Sequence, residues 1–109
     1  MREITTNKEF QDVVKGNKPV LLDFYADWCG PCQTLLPIVE KLASKHKSDF
    51  IIAKVNVDKS PELAQQFKVR SIPALFFIQD GELKESINGV QTEAYLDQKI
   101  HNYTSNQVH

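Results

Sequence analysis

Apolar positions along the chain follow two patterns, a helical period in some segments and short continuous runs in others. Thr6 and Glu9, three residues apart, form the pattern of a capping box at a helix N-terminus. Phe10, Val13 and Val14 then repeat with helical spacing and predict a helix that ends before residue 16. Three further helices are predicted, one from just after residue 32 to about 47, one at 61–67 with Ser60 as N-cap, and one at 92–103.

Short apolar runs predict the strands. The run at 20–25 is apolar at all positions but one, which is typical of a strand buried on both faces. Other runs lie at 50–57, 74–78 and 83–87, and Ile4 belongs to a short first strand. Asp80-Gly81 predicts a tight hairpin between the last two. The order β-α-β-α-β-α-β-β-α indicates an α/β fold, a mixed five-stranded sheet flanked by four helices.

Length and charge limit the kinds of protein that this chain can be. A chain of 109 residues builds one core, so residues 1–109 are expected to form a single domain, with 104–109 as a frayed tail. A net charge of -1 does not suggest the basic face that a nucleic-acid surface needs. No apolar stretch follows Met1 as in a secretory signal, and none is long enough to span a bilayer. We therefore expect a cytoplasmic monomer with no membrane partner.

The candidate chemistry is a pair of cysteines, Cys29 and Cys32, between a buried strand and a helix. Two intervening residues that turn into a helix allow the Cα separation that a disulfide needs. Cys29 then lies at the helix N-terminus, where unpaired N–H groups lower the pKa of a thiol and activate it. Helix geometry should expose Cys29 and shield Cys32, which lies in the first turn. These features predict a redox pair in which Cys29 attacks.

Half of a zinc site is the alternative interpretation of the pair. Structural zinc needs four ligands, commonly with a second pair of cysteines or histidines. The remaining candidates, His46, His101 and His109, are scattered along the chain. We therefore expect no metal site.

Several motifs resemble those of the thioredoxin family over about residues 3–103. The segment Trp28-Cys29-Gly30-Pro31-Cys32 follows a buried strand, and Ile72-Pro73 follows about forty residues later. The chain also carries VLLDFYA at 20–26, Pro37, AKVNVD at 53–58 and DGE at 80–82. The resemblance implies a thioredoxin fold and a protein-disulfide reductase with no bound cofactor apart from a redox-active Cys29–Cys32 disulfide. It also implies re-reduction by an NADPH-dependent thioredoxin reductase.

Two charged residues interrupt the predicted strands. Asp23 stands between Leu22 and Phe24, so burial should raise the pKa of its carboxyl, unless it points to solvent at a strand edge. The resemblance implies that it moves the proton of Cys32. Lys54 interrupts the next strand and either extends out of the strand end or, as the resemblance implies, lies near Asp23 and tunes it.

The resemblance also implies a substrate surface. Its proline at position 73 is cis and faces the cysteines, and the backbone beside it pairs with an extended substrate. Trp28 is exposed and shields the sulfurs, rather than lying in the core. The surface comprises Trp28, Gly30, Pro31, Ile72, Pro73, Gly89 and Val90.

Three positions depart from the common family pattern. Tyr25 replaces a frequent tryptophan, and this change is expected to affect packing alone. Gln33 replaces a cation beside the cysteines, and Ala74 replaces a threonine.

Two rival functions share this fold. One is a binding subunit with incidental cysteines, but binding alone does not require that WCGPC, Asp23 and Pro73 occur together. The other is an oxidase or isomerase, whose dipeptide between the cysteines usually differs from Gly-Pro.

Overall fold

A computed structural model describes residues 1–105 of the chain. Its elements follow the predicted order, which confirms five strands and four helices in these residues. They are β1 (Arg2–Glu3), α1 (Asn7–Val14), β2 (Val20–Tyr25), α2 (Gly30–Lys45), β3 (Ile51–Asn56), α3 (Pro61–Gln66), β4 (Ala74–Gln79), β5 (Glu82–Asn88) and α4 (Glu93–Ser105).

The strands form one mixed sheet in the order β1-β3-β2-β4-β5. Strands β1 and β2 run parallel to β3, whereas β4 runs antiparallel to β2 and β5 antiparallel to β4. Asp80 and Gly81 both have positive φ, as a two-residue hairpin turn requires, and they join β4 to β5 as predicted. The central strand β2 is buried along its whole length, in agreement with its apolar run.

Each face of the sheet is covered by two helices. Side chains of α1 and α3, such as Phe10 and Leu63, pack with Leu22 and Phe24 of β2 on one face. Side chains of α2 and α4, such as Leu35 and Ile100, pack with Leu21 on the other. Successive residues of a strand point to opposite faces, so Asp23 shares the α2 side of β2 with Leu21.

The helix ends confirm some predictions and correct others. Thr6 and Glu9 form the predicted capping box. Ser60 stands at the N-cap of α3 but makes no capping bond, because its hydroxyl donates to the carbonyl of Thr5. Ile4 lies just past β1, although its N–H still donates to the carbonyl of Lys54. Helix α2 ends at Lys45, before the expected residue 47, because His46 leaves helical geometry.

Helix α4 extends further than the sequence predicts. It includes residues 104 and 105, which were expected to belong to a frayed tail. The hydroxyl of Thr104 donates to the carbonyl of His101 and so adds a local bond within the last turn. The rest of that expected tail, residues 106–109, lies outside the described residues. No helix within residues 1–105 is long and apolar enough to cross a membrane.

Candidate active site

The two cysteines begin α2 where the chain leaves β2. Cys29 is the N-cap of the helix, and its Sγ accepts a hydrogen bond from the backbone N–H of Cys32 at 3.2 Å. A side-chain acceptor at this position satisfies one of the N–H groups that a helix leaves unpaired. Pro31 occupies the first turn, where it has no N–H that the helix needs. The helix end therefore stabilises negative charge on Cys29.

The two sulfurs form a disulfide across a Cα separation of 5.3 Å. Both cysteines are buried, Cys29 with 5% and Cys32 with 1% of its surface exposed. The predicted ranking is therefore right, but the prediction that Cys29 is exposed is wrong in this oxidised state. The pair packs against Tyr25 and Ala26, and Ile72 adds a partly buried wall.

Trp28 lies at the surface beside the disulfide, with 72% of its area exposed. Its indole N–H donates to Oδ2 of Asp58 at 2.8 Å. This bond orients a large apolar ring without burying it, as expected for a residue at a recognition surface rather than in the core. Gln33 lies on the helix beside these residues, and its side-chain amide donates to the carbonyl of Ala26 at 3.3 Å.

The segment around Pro73 reaches the disulfide from β4. Phe24 pairs with Ala74, so the residues just before Ala74 lie beside the turn that follows β2. The Ile72–Pro73 bond is cis, which confirms the prediction, and the carbonyl oxygen of Ile72 lies 3.8 Å from Sγ of Cys29.

The last residue of β5 and the glycine that follows it hold this segment in place. The N–H of Gly89 donates to the carbonyl of Pro73 at 2.9 Å, and the amide of Asn88 donates to the hydroxyl and carbonyl of Ser71. Gly89 has φ of +87°, which favours glycine there. Val90 follows it with 43% of its area exposed. The structure thus brings together Cys29, Ile72, Pro73 and Gly89.

Asp23 is the buried carboxyl of the site. It is 0% exposed, and neither of its oxygens has a hydrogen-bond partner within residues 1–105. Burial raises the pKa of Asp23 to about 7, against an opposing effect of the Lys54 charge. On its side of β2, Asp23 lies between Leu21 and Tyr25, and Tyr25 packs against the cysteines. This carboxyl can therefore exchange a proton near neutral pH beneath the start of α2.

Lys54 combines the two arrangements considered from the sequence. It pairs with Asp23 in the register of β2 and β3, and its charge favours the ionised form of that carboxyl. Its Nζ, however, extends towards Oε1 of Glu3 at 4.0 Å and lies 5.5 Å from the centre of the Tyr25 ring. The lysine therefore acts on Asp23 through its charge and makes its ion pair elsewhere.

Glu3 and Tyr25 belong to this group, although sequence reasoning did not assign them to it. The Tyr25 hydroxyl donates to Oε1 of Glu3 at 3.0 Å, so the expectation that Tyr25 affects packing alone is wrong. A hydroxyl on the ring makes this bond possible where tryptophan is frequent in the family. The sequence signal was weak, because β1, which carries Glu3, is two residues long.

Two of the three histidines lie close together in the fold, although they are scattered along the sequence. His46 and His101 are far apart in sequence, yet the packing of α2 against α4 brings them together around Asp97. The rings of the two histidines meet edge to face at 5.5 Å. They lie at the end of α2 opposite to the cysteines, so they take no part in this site, and His109 lies outside the described residues.

Comparisons with known proteins all match this chain to thioredoxins. The family model described as Thioredoxin matches residues 2–102. A thioredoxin of Alicyclobacillus acidocaldarius subsp. acidocaldarius is 39% identical over 95 residues, which cover 87% of this chain and 90% of that protein. A bifunctional thioredoxin reductase/thioredoxin of Mycobacterium leprae (strain TN) is 43% identical over 94 residues, which cover 86% of this chain but 20% of that protein. The solved structure of a mutant thioredoxin from Halobacterium salinarum NRC-1 superposes with a TM-score of 0.88 at 44% identity, covering 94% of this chain and 89% of that one.

Proposed function

The chain belongs to the thioredoxin family, and from that membership we propose how the residues of its site share the work of thiol–disulfide exchange. The protein is a thiol–disulfide oxidoreductase that reduces disulfides in protein substrates. The observation that carries this function is the Cys29–Cys32 disulfide at the N-terminus of α2, beside the carbonyl of Ile72.

Cys29 makes the first attack. In the reduced protein its thiolate, favoured by the start of α2, attacks one sulfur of a substrate disulfide. The substrate S–S bond breaks, a mixed disulfide with Cys29 forms, and the second substrate sulfur leaves as a thiolate that takes a proton from solvent. The greater exposure of Cys29 supports this order.

Cys32 then resolves the mixed disulfide. Its thiol loses a proton, and the resulting thiolate attacks Sγ of Cys29. The Cys29–Cys32 disulfide forms, and the substrate sulfur leaves as a thiolate that takes a proton from solvent. Two electrons have then passed from the dithiol to the substrate. Asp23 accepts the proton of Cys32, directly or through water, since burial holds the pKa of its carboxyl at about 7. Lys54 tunes that pKa with its charge.

The substrate lies across the segment before Pro73. The backbone of Ile72 makes no hydrogen bond to another backbone group within residues 1–105, so its N–H and C=O can pair with an extended substrate segment. Exposed Trp28, Gly30, Pro31 and Val90 supply the remaining contacts, and Gly89 holds Pro73 in position.

The partner that restores the dithiol is a thioredoxin reductase, which carries the flavin and the nicotinamide itself. The fusion of both units in the Mycobacterium leprae relative supports this pairing. The chain works as a single domain and a monomer in the cytoplasm, where cellular reductants keep such thiols reduced.

A coupled assay tests the function. The protein, a disulfide-bonded substrate protein, a thioredoxin reductase and NADPH are mixed, and NADPH oxidation is followed. We expect turnover with the parent and none above the reductase background with Cys29→Ser. An inactive parent, or a Cys29→Ser variant as active as the parent, would contradict the proposal.

A further inference from the structure

Three side chains that ligate metals meet at the far end of α2. His46 is the C-cap of α2, and Asp97 and His101 lie one turn apart on α4. One ligand atom from each residue can be chosen so that all three lie within 4.8 Å of one another. At about 1.5 Å of rise per residue, the fourteen steps along the chain from Cys32 to His46 span about 20 Å. The redox mechanism therefore leaves this cluster unused.

The carboxylate of Asp97 lies between the two imidazoles. Nε2 of His46 is 2.7 Å from its Oδ1, and Nε2 of His101 is 3.6 Å from its Oδ2. Ligand atoms about 2.0–2.2 Å from a tetrahedral zinc ion lie about 3.4 Å from one another. One ligand atom from each residue already lies within 4.8 Å of the other two, so movement of the exposed His101 side chain would bring the three to the spacing that one ion needs.

Burial makes one ligand rigid and leaves an approach from solvent. His46 is buried, with 6% of its area exposed, while the side chain of His101 is 56% exposed. The cluster thus offers two imidazoles and an anion, with an open side for a water ligand.

We propose that His46, Asp97 and His101 bind one Zn²⁺ ion, with water as its fourth ligand. Two imidazoles and a carboxylate with one open position form a donor set that zinc adopts in proteins. The ion takes the place of the proton between Nε2 of His46 and Oδ1 of Asp97. The metal-bound imidazole carries its one proton on Nδ1, so a neutral ring moves its proton there from Nε2 by exchange with solvent, and an imidazolium ring releases its Nε2 proton to solvent.

Lys45 opposes the ion and gives the proposal its sharpest control. Its Nζ lies 3.1 Å from Oδ1 of Asp97, where it competes for the same carboxylate, and its side chain is 53% exposed. Bound zinc must push this ammonium group into solvent. A Lys45→Met variant should therefore bind Zn²⁺ more tightly than the parent, whereas a cluster that holds α2 to α4 without a metal predicts no such gain.

Calorimetric titration with Zn²⁺ tests the site. The untagged protein is used in its oxidised form, because the Cys29–Cys32 disulfide prevents the thiols from ligating zinc. We expect one ion per parent chain, at least tenfold weaker binding by His101→Ala, and several-fold tighter binding by Lys45→Met. His101 is exposed, so its variant should fold, and circular dichroism checks this.

His109→Ala is the matched control, since it removes the histidine outside the described residues. It should bind like the parent. Absence of saturable binding in the parent would overturn the proposal. So would His101→Ala binding as tightly as the parent, or a tenfold loss in His109→Ala.

Discussion

Asp23 and Asp97 lie on the same side of the sheet, near opposite ends of α2, in opposite electrostatic environments. Asp23 is fully buried without a hydrogen-bond partner in residues 1–105, and desolvation raises its pKa to about 7. Asp97 has two histidines and a lysine within 3.6 Å, and its pKa is lowered. Burial without partners thus makes a carboxyl exchange protons near neutral pH, whereas partners keep it charged. The environment of Asp23 suits proton transfer, and the environment of Asp97 suits holding two helices together or binding a cation.

The largest expected effect comes from Asp23→Asn. The folded state of the parent retains a proton on Asp23 that the unfolded state loses, so stability falls as pH rises from about 4 to 7. The full penalty above pH 7 is about 4 kcal/mol, while an unpaired amide in the variant costs about 1–3 kcal/mol at every pH.

The Asp23→Asn variant should therefore be about 1–3 kcal/mol more stable than the parent at pH 8, and its advantage should shrink by about 2–3 kcal/mol at pH 5. Denaturant midpoints of the oxidised proteins at both pH values measure this. Exposed Asp27→Asn is the matched control and should show no such trend. A pH-independent difference for Asp23→Asn would show that Asp23 is paired or hydrated.

Removing the positive charge of Lys54 should increase the difference between the raised pKa of Asp23 and the lowered pKa of Asp97. Because the charge of Lys54 opposes the effect of burial, Lys54→Met should raise the pKa of Asp23 above its present value near 7. Lys54→Arg keeps the charge and should leave that pKa close to the parent value. Carboxyl carbon shifts of Asp23 followed by NMR across a pH titration report it. A downward movement in Lys54→Met would contradict the role given to Lys54.

Asp97→Asn should lower the stability of the folded state at neutral pH, whereas Asp23→Asn should raise it. The lowered pKa of Asp97 stabilises the folded state above the ordinary carboxyl pKa, and this contribution is lost as pH falls. In metal-free buffer at pH 7 the variant should lose about 1 kcal/mol, because charged hydrogen bonds from His46 and Lys45 are weakened. Denaturant midpoints at pH 7 and pH 3 test this, with the loss confined to pH 7. Equal losses at both pH values would point to packing instead.

The smallest expected effect concerns the thiolate end of α2. Gln33→Lys places a cation near Cys29 and should lower the pKa of its thiol in the reduced protein. Gln33 is exposed, so salt should screen much of the change. The pH dependence of alkylation of Cys29 in parent and variant measures it, and Gln33→Met serves as the uncharged control. An upward shift in Gln33→Lys would count against the helix-end account.

Local sequence signals predicted the fold, whereas the resemblance to the thioredoxin family supplied most of the residues proposed for the site. The short apolar runs, the Thr6 capping box and the Asp80-Gly81 turn are each determined by a few neighbouring residues. The structure contains the strands, the cap and the turn that they predict. The burial of Asp23 followed from its apolar neighbours in β2.

The misjudged features depend on contacts between distant segments. The Tyr25 bond to Glu3 needs a two-residue strand in the right register, and the meeting of His46 with His101 depends on how α2 packs against α4. Ser60 fails to cap α3 because its hydroxyl bonds to Thr5, fifty-five residues away in sequence. Periodicity carries no information about such contacts.

The most direct test of attack by Cys29 and resolution by Cys32 is to trap the mixed disulfide. Reduced Cys32→Ser and Cys29→Ser variants are each mixed with a disulfide-bonded substrate protein and separated on non-reducing gels. Cys32→Ser should accumulate a covalent adduct that a reductant removes, because Cys29 can attack but nothing resolves the product. Cys29→Ser should accumulate none. Adducts formed by Cys29→Ser and absent from Cys32→Ser would reverse the order of attack and contradict the account.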